Sequence, residues 1–226
     1  MKYRGPKADL DTGPHLSADL EEGILSIALN RPQQRNAIDA AMSLAMARLL
    51  AAVSDDDAVR VLVLCGRGPD FCVGTESIGS YDAATSFELL RLLPQPVIAM
   101  VHGQCHGGAI ATIEACDIVF AADDADFGLD GKNVQCETLV TQSVPASELE
   151  ARTYQLAREL AGKDAPALRF TKQTLRSVAN VSWDEVLNFT TAKQAELKAL
   201  QAGRPSTRAL AVESFLAGKT KPGAGA

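Results

Sequence analysis

The sequence predicts an α/β fold followed by a helical C-terminal region. Two strand–helix–strand passages carry this prediction, one before residue 65 and one after residue 96. Glycine-rich turns join strands to helices in the stretch between and after them. Alternation of this kind marks a mainly parallel sheet covered by helices. The composition agrees: 46% hydrophobic and 22% charged over 226 residues is that of an ordinary globular chain. A chain of that length buries roughly 70% of its unfolded surface without staples.

The elements follow in order. The first fifteen residues are polar, with two prolines and two glycines, and read as a flexible arm. Gly23 to Asn30, GILSIALN, reads as a strand, which Arg31-Pro32 breaks. Asp39 suits the N-cap of an Ala-, Leu- and Met-rich helix through Ala51. Val59 to Leu64 is a β-branched run, the mark of a buried strand. Gly66 to Ser80 is a glycine-rich loop, and a helix is expected over Ser86 to Leu93, where Pro94 stops it. Val97 to Val101 is another apolar strand and runs into HGQCHGG. A helix over Ala109 to Ala115 and a strand over Ile118 to Ala122 complete the second passage.

Asp130 to Gln142 holds no full helix. Helices are expected from Pro145 to a stop at Gly162, over 166–179, after the cap Ser182, and over 207–216. The domain reading is an arm (1–15), an α/β core (16–145), a helical region (146–217) and a disordered tail (218–226).

Charge and composition exclude several classes. The net charge of −6, without a basic block, argues against nucleic-acid binding. No apolar run approaches the roughly 20 residues of a membrane helix, and the first residues lack a signal-peptide stretch. Five cysteines without a CxxC pair suit a reduced, cytoplasmic protein. His102, Cys105 and His106 sit close in sequence, but no fourth ligand stands at useful spacing, so no metal is expected.

The glycine turns are where chemistry is expected. Gly107 and Gly108 stand where a helix begins, and the first amides of a helix have no internal partner. Such amides can hold a developing oxyanion. The same turn also serves simply to pack a helix on a sheet. It is neither a P-loop nor a dinucleotide fingerprint.

Four segments in the right order then point further. Asn30-Arg31-Pro32 through Asn36-Ala37 resembles the NRPxxxNA segment of the crotonase (enoyl-CoA hydratase/isomerase) superfamily. Phe71 to Thr75 resembles its FxxGxD loop, and Pro96 to Gly108 its KPxIAxVxGxxxGGG strand-turn. Cys116-Asp117 through Phe127-Gly128 resembles its CDxxxAxxxAxFG segment. Ser143-Val144-Pro145, Ser182 to Glu185 and Phe215 to Lys219 resemble the C-terminal region of the hydroxycinnamoyl-CoA hydratase-lyases.

The resemblance implies a spiral of ββα units, a coenzyme A thioester as substrate, and no permanently bound cofactor. It implies a homotrimer or hexamer with the C-terminal helices, including Trp183, Val186, Leu187 and Phe189, near the interface. By motif position the two oxyanion amides fall at Thr75 and Gly108, and the coenzyme A contacts at Arg35, Ala37 and Ile38. Arg35 also reads as a solvated turn charge.

The family's acid/base residues are not there. The two glutamate positions hold Ala111 and Gly131, and the hydratase-lyase tyrosines fall near Phe189 and Thr191. Asp130 to Gln142 also replaces a longer family segment beside the acyl pocket. Replacement groups are Glu114 (one turn beyond Ala111), His106 beside the glycine turn, and Asp130 next to the lost glutamate. Two of them have a plain structural reading too: Glu114 as a solvated or salt-bridged helix residue, His106 as a partly exposed turn histidine. Two functions therefore stand side by side. One is a divergent hydratase or lyase acting on a coenzyme A or carrier-protein thioester. The other is a degenerate thioester-binding or partner protein.

Overall fold

The computed structural model describes residues 2–4, 9–76, 81–129, 132–133, 139–178, 182–202 and 216–217. It divides into two compact units, 1–161 and 162–226.

The first unit begins with a hairpin of β1 (Lys2–Arg4) and β2 (Asp9–Asp11), paired antiparallel with Tyr3 opposite Leu10. The arm expected over 1–15 is thus partly structured. Thr12 is buried and its hydroxyl donates to the Leu16 carbonyl, and His15 reaches Asp39. Next come β3 (Leu16–Glu21), β4 (Ile24–Leu29), α1 (Ala40–Val53) and β5 (Val61–Gly66). They are followed by α2 (Tyr81–Leu92), β6 (Val97–Val101), β7 (Gln104–His106), α3 (Gly108–Glu114) and β8 (Ile118–Ala122). The unit closes with β9 (Asp126–Leu129), β10 (Lys132–Asn133), β11 (Gln142–Val144) and α4 (Leu149–Ala161).

Six strands form one sheet in the order β11-β8-β6-β5-β4-β3. All neighbours are parallel except β3, which returns antiparallel along β4. A second sheet, β10-β9-β7, has β7 and β9 parallel. Two isolated bridges extend it: Cys72 pairs Cys105, and Ile38 pairs Thr75. This is the α/β class that the sequence predicts, with a mainly parallel sheet.

Alternation along β5 explains how both faces of the large sheet are covered. Leu62 and Leu64 point into a core shared with α1, α2 and α3. Val61 and Val63 point the other way, into a second cluster with Leu149 and Ala157 of α4. Successive strand residues must face opposite sides, so a strand covered on both faces is apolar throughout. In α1 the cap is as the sequence implies: the Asp39 carboxylate accepts from the Met42 N–H at 2.7 Å. Met42, Met46, Leu49 and Val53 recur at helical spacing and are buried.

α4 belongs with the first unit, not with the helices beyond it as the boundary at 145 had it. Its Leu149, Thr153 and Ala157 are buried, and Leu149 and Ala157 pack in the cluster on the outer face of the sheet. In the second unit α5 (Ala165–Val178) and α6 (Trp183–Gln201) pack on each other. Lys193 lies 5.2 Å from the Phe170 ring centre and 5.7 Å from that of Phe189. The Glu185 carboxylate accepts from the Ser182 N–H at 2.9 Å and from its hydroxyl at 2.6 Å, which closes the first turn of α6. These two bonds, the hydroxyl's first, hold the Glu185 carboxyl below its usual range. The helix expected over 207–216 lies almost wholly outside the described residues. Among the described residues no helix is long and apolar enough to cross a membrane.

Candidate active site

The segment 71–76 is the centre of the site, and three neighbours fix it. The Phe71 N–H donates to the His102 carbonyl, the Cys72 N–H to the Gln104 carbonyl, and the His106 N–H to the Cys72 carbonyl. On the other side the Ile38 N–H donates to the Gly74 carbonyl at 2.8 Å, and the Glu76 N–H to the Ile38 carbonyl at 3.0 Å. In this register the amide and carbonyl of Thr75 itself point away from Ile38. The Thr75 side chain abuts the start of α3, where a Cβ on Gly108 would lie 2.8 Å from Thr75 Cγ2.

Gly74 (φ +117°) and Gly107 (φ +55°) take backbone conformations that L side chains rarely adopt. They let the two turns approach closely. A Cβ on Gly74 would stand 3.5 Å from the Gly108 nitrogen. Gly108 opens α3, and the Gly107 N–H is bound to the Gly128 carbonyl at 2.8 Å. Among the described residues, neither the Thr75 nor the Gly108 N–H donates to a protein acceptor. Amides without a protein partner can hold an oxygen that gains charge when they converge on one point.

Asn36 ties the Arg31–Ile38 turn to this segment. It is fully buried, its amide donates to the Arg67 and Asp70 carbonyls, and its oxygen accepts from the Arg31 N–H. All its polar capacity is directed at backbone, which defines the turn.

The expected coenzyme A contacts separate. Arg35 (φ +51°) is half exposed, and its guanidinium bonds Asp70 at 2.9 Å and the Gln104 side chain. Asp70 also accepts from the Gln104 N–H. Burial pushes the Asp70 carboxyl up, but the bonds from Arg35 and Gln104 outweigh it and leave it below its usual range. Ile38 is buried in the core, and the Ala37 carbonyl is taken by Arg31. Arg35 is the exposed one of the three.

The expected proton carriers separate as well. Ala109, Thr112 and Ile113 are the buried face of α3; Ala111 and Glu114 are exposed together on the other. The His106 ring lies 3.0 Å from the Asp126 carboxylate and stacks over Gly128, where a Cβ would come within 3.0 Å of it. Sequence reasoning did not single out Asp126. Its signal is the register of β7 on β9, which pairs Gln104 with Asp126 and His106 with Gly128 on one face. Asp130 and Gly131 lie outside the described residues. His102, Cys105 and His106 do not converge: His102 bonds the Gly68 carbonyl, Cys105 is buried in the core, and His106 bonds Asp126.

Residues 19–135 match the family model for enoyl-CoA hydratase/isomerase. The chain belongs to the enoyl-CoA hydratase/isomerase family. It is 28% identical to a hydroxycinnamoyl-CoA hydratase-lyase of Pseudomonas fluorescens, over 92% of this chain and 94% of that one. That alignment runs over 264 positions against the 226 residues here, so the relative carries residues this family member lacks. In structure it is similar to an enoyl-CoA hydratase of Mycobacterium smegmatis (TM-score 0.77, 22% identity, 92% and 98% of the two chains). It is also similar to one of Bacillus anthracis (TM-score 0.80, 21% identity, 91% and 97%). On this family fold the turns at Gly74 and Gly107–Gly108 abut, and Ala111 lies on the exposed face of α3.

Proposed function

We propose that this family member binds a coenzyme A thioester with its carbonyl oxygen between the amides of Thr75 and Gly108, and acts on it as a divergent hydratase or lyase. The observation that supports this reading is the backbone register at Ile38, which leaves the Thr75 N–H turned away from Ile38 on a segment that abuts Gly108. Two N–H donors on the oxygen stabilise the enolate and make the β-carbon of an enoyl group electrophilic. Arg35, exposed at the rim, is the proposed contact for the phosphates of the carrier. Its pairing with Asp70 means a phosphate must share the guanidinium.

Proton transfer falls to side chains other than the family's glutamates. Glu114 is on the exposed face of α3 with Ala111. His106, backed by Asp126, is the second group. The absence of a carboxylate at Ala111 favours a second reading, binding without turnover, because general acid/base groups supply about 10²–10⁴-fold.

The test is turnover of crotonyl-CoA and feruloyl-CoA, followed by loss of the enoyl-thioester absorbance, in wild type, Glu114→Gln and His106→Gln. Slow turnover that falls in either variant supports the enzyme and names the carrier. Binding with no turnover in all three supports the second reading. Turnover at usual family rates, unchanged in both variants, rejects both groups.

We further propose a homotrimer or hexamer assembled through the C-terminal helices. Leu175, Leu187 and Leu200 are 66%, 51% and 54% exposed, an apolar surface that needs cover. A monomer by light scattering at micromolar concentration rejects it.

A further inference from the structure

We propose that Arg31 is a positioning residue that fixes the Thr75 amide. This inference rests on the thioester reading above. The Arg31 side chain is nearly buried, 12% exposed, at the end of β4. Its Nη1 donates to the Ala37 carbonyl at 2.6 Å and meets the Glu76 carboxylate at 2.7 Å. Its Nε lies 3.4 Å from the Asp39 carboxylate. Residues 37 and 39 flank Ile38, and residue 76 follows Thr75. One guanidinium therefore grips both sides of the bridge that orients the Thr75 amide.

The guanidinium is itself held. The Arg31 N–H and carbonyl are both engaged by Asn36. Asp39 is shared with His15 at 3.0 Å and with the first turn of α1 through the Met42 N–H. The planar fork can serve three acceptors in fixed directions, and a lysine ammonium on its flexible stem cannot. None of these contacts needs Arg31 to touch a substrate. Its effect is on where the Thr75 amide sits, and a misplacement of about 1 Å in a catalytic geometry costs about 10²-fold.

The role separates from simple binding and simple stability by the state of the bound carbonyl. The probe is butyryl-CoA labelled with ¹³C at the thioester carbon, which has no double bond to hydrate. Its bound resonance, its Kd and the thermal midpoint are measured for wild type, Arg31→Gln, Arg31→Lys and Glu76→Gln. In wild type the bound carbonyl moves downfield of the free thioester, as a polarised carbonyl must. Arg31→Gln loses more than half of that shift while Kd rises less than about tenfold. Arg31→Lys and Glu76→Gln fall between the two. A folded Arg31→Gln with the full wild-type shift overturns the positioning role. If Arg31→Gln does not fold, Glu76→Gln decides, since its side chain is 43% exposed and removes one grip only; an unchanged shift there also overturns the role. A wild type that binds the probe with no shift instead rejects the amide site itself, and the role of Arg31 with it.

Discussion

A Cβ added to Gly108 would lie 2.8 Å from Cγ2 of Thr75. That is well inside van der Waals contact, so a side chain at 108 and the threonine at 75 compete for the same space. The obstacle is a methyl on a rotatable bond, not backbone. Gly108→Ala alone should destabilise the fold and shift the Thr75 segment. In a Thr75→Ala background the same substitution should cost less, with a coupling of about 1 kcal/mol. Urea titration of the four proteins measures this directly. Full additivity would mean that the two segments do not abut.

Gly103 and Gly13 allow a comparison of strain with collision. Both have positive φ, +55° and +66°. A Cβ on Gly103 would stand 2.0 Å from the Pro69 carbonyl oxygen, whereas nothing lies within 4 Å of one on Gly13. Gly13→Ala meets only the left-handed backbone penalty, about 1–2 kcal/mol. Gly103→Ala must also displace backbone that leads into the 71–76 segment, and should cost more than about 3 kcal/mol. Equal denaturation midpoints for the two variants would contradict this.

The large sheet was readable because its inner strands are apolar on both faces. The runs before Cys65, before His102 and before Asp123 needed no partner to be seen. α1 was readable from Asp39 and the spacing of its apolar residues. The small sheet was not readable. β7 and β9 are three and four residues long, and on each a polar residue (Gln104, His106, Asp126) alternates with one that faces the core. Nothing local distinguishes them from turns until they pair. β3 was missed for a related reason: its edge position leaves Asp19 and Glu21 exposed. The glycine turns named Thr75 and Gly108 through motif position. Their support by Arg31 and Asn36 arises from contacts across the turn and across the chain, and no spacing rule reveals it.

Two thiols, the half-buried Cys65 and the buried Cys72, should shape the alkaline limb of stability. Burial pushes Cys65 and Cys72 from 9.0 up to about 11, and burial also raises the Tyr154 phenol against its bond from Ser26. The folded protein then holds protons that the unfolded chain releases above pH 9. Their contribution is full below that value and is lost between about pH 9 and 11. Each thiol steepens the fall by at most about 1.4 kcal/mol per pH unit. Urea midpoints from pH 8 to 11 should decline less steeply in Cys65→Ala/Cys72→Ala than in wild type, even if that variant is weaker at pH 8. Parallel curves would contradict the assignment. At the acid end the sign reverses. Asp39, raised by burial but lowered further by the Met42 N–H, His15 and Arg31, stabilises the fold above its ordinary 3.8 and stops doing so as pH falls below it.

The last prediction is a gain of function at Ala111. This residue is exposed on α3, three residues beyond Gly108, on the face away from the core. The exposed position has room for a glutamate side chain, and the nearby helix N-terminus favours its charged form. Placed beside a carbonyl held by the Thr75 and Gly108 amides, that carboxylate can orient and activate water. Ala111→Glu should therefore raise crotonyl-CoA hydration by about 10²-fold, the lower end of what a general base supplies. Thioester affinity should stay nearly constant, because the group acts on water and not on the carrier. Ala111→Gln is the control: it has the same reach without the base and should give no gain. A folded Ala111→Glu protein that binds crotonyl-CoA as wild type does and hydrates it no faster would place the thioester away from this face of α3, and the amide site would have to be sought elsewhere.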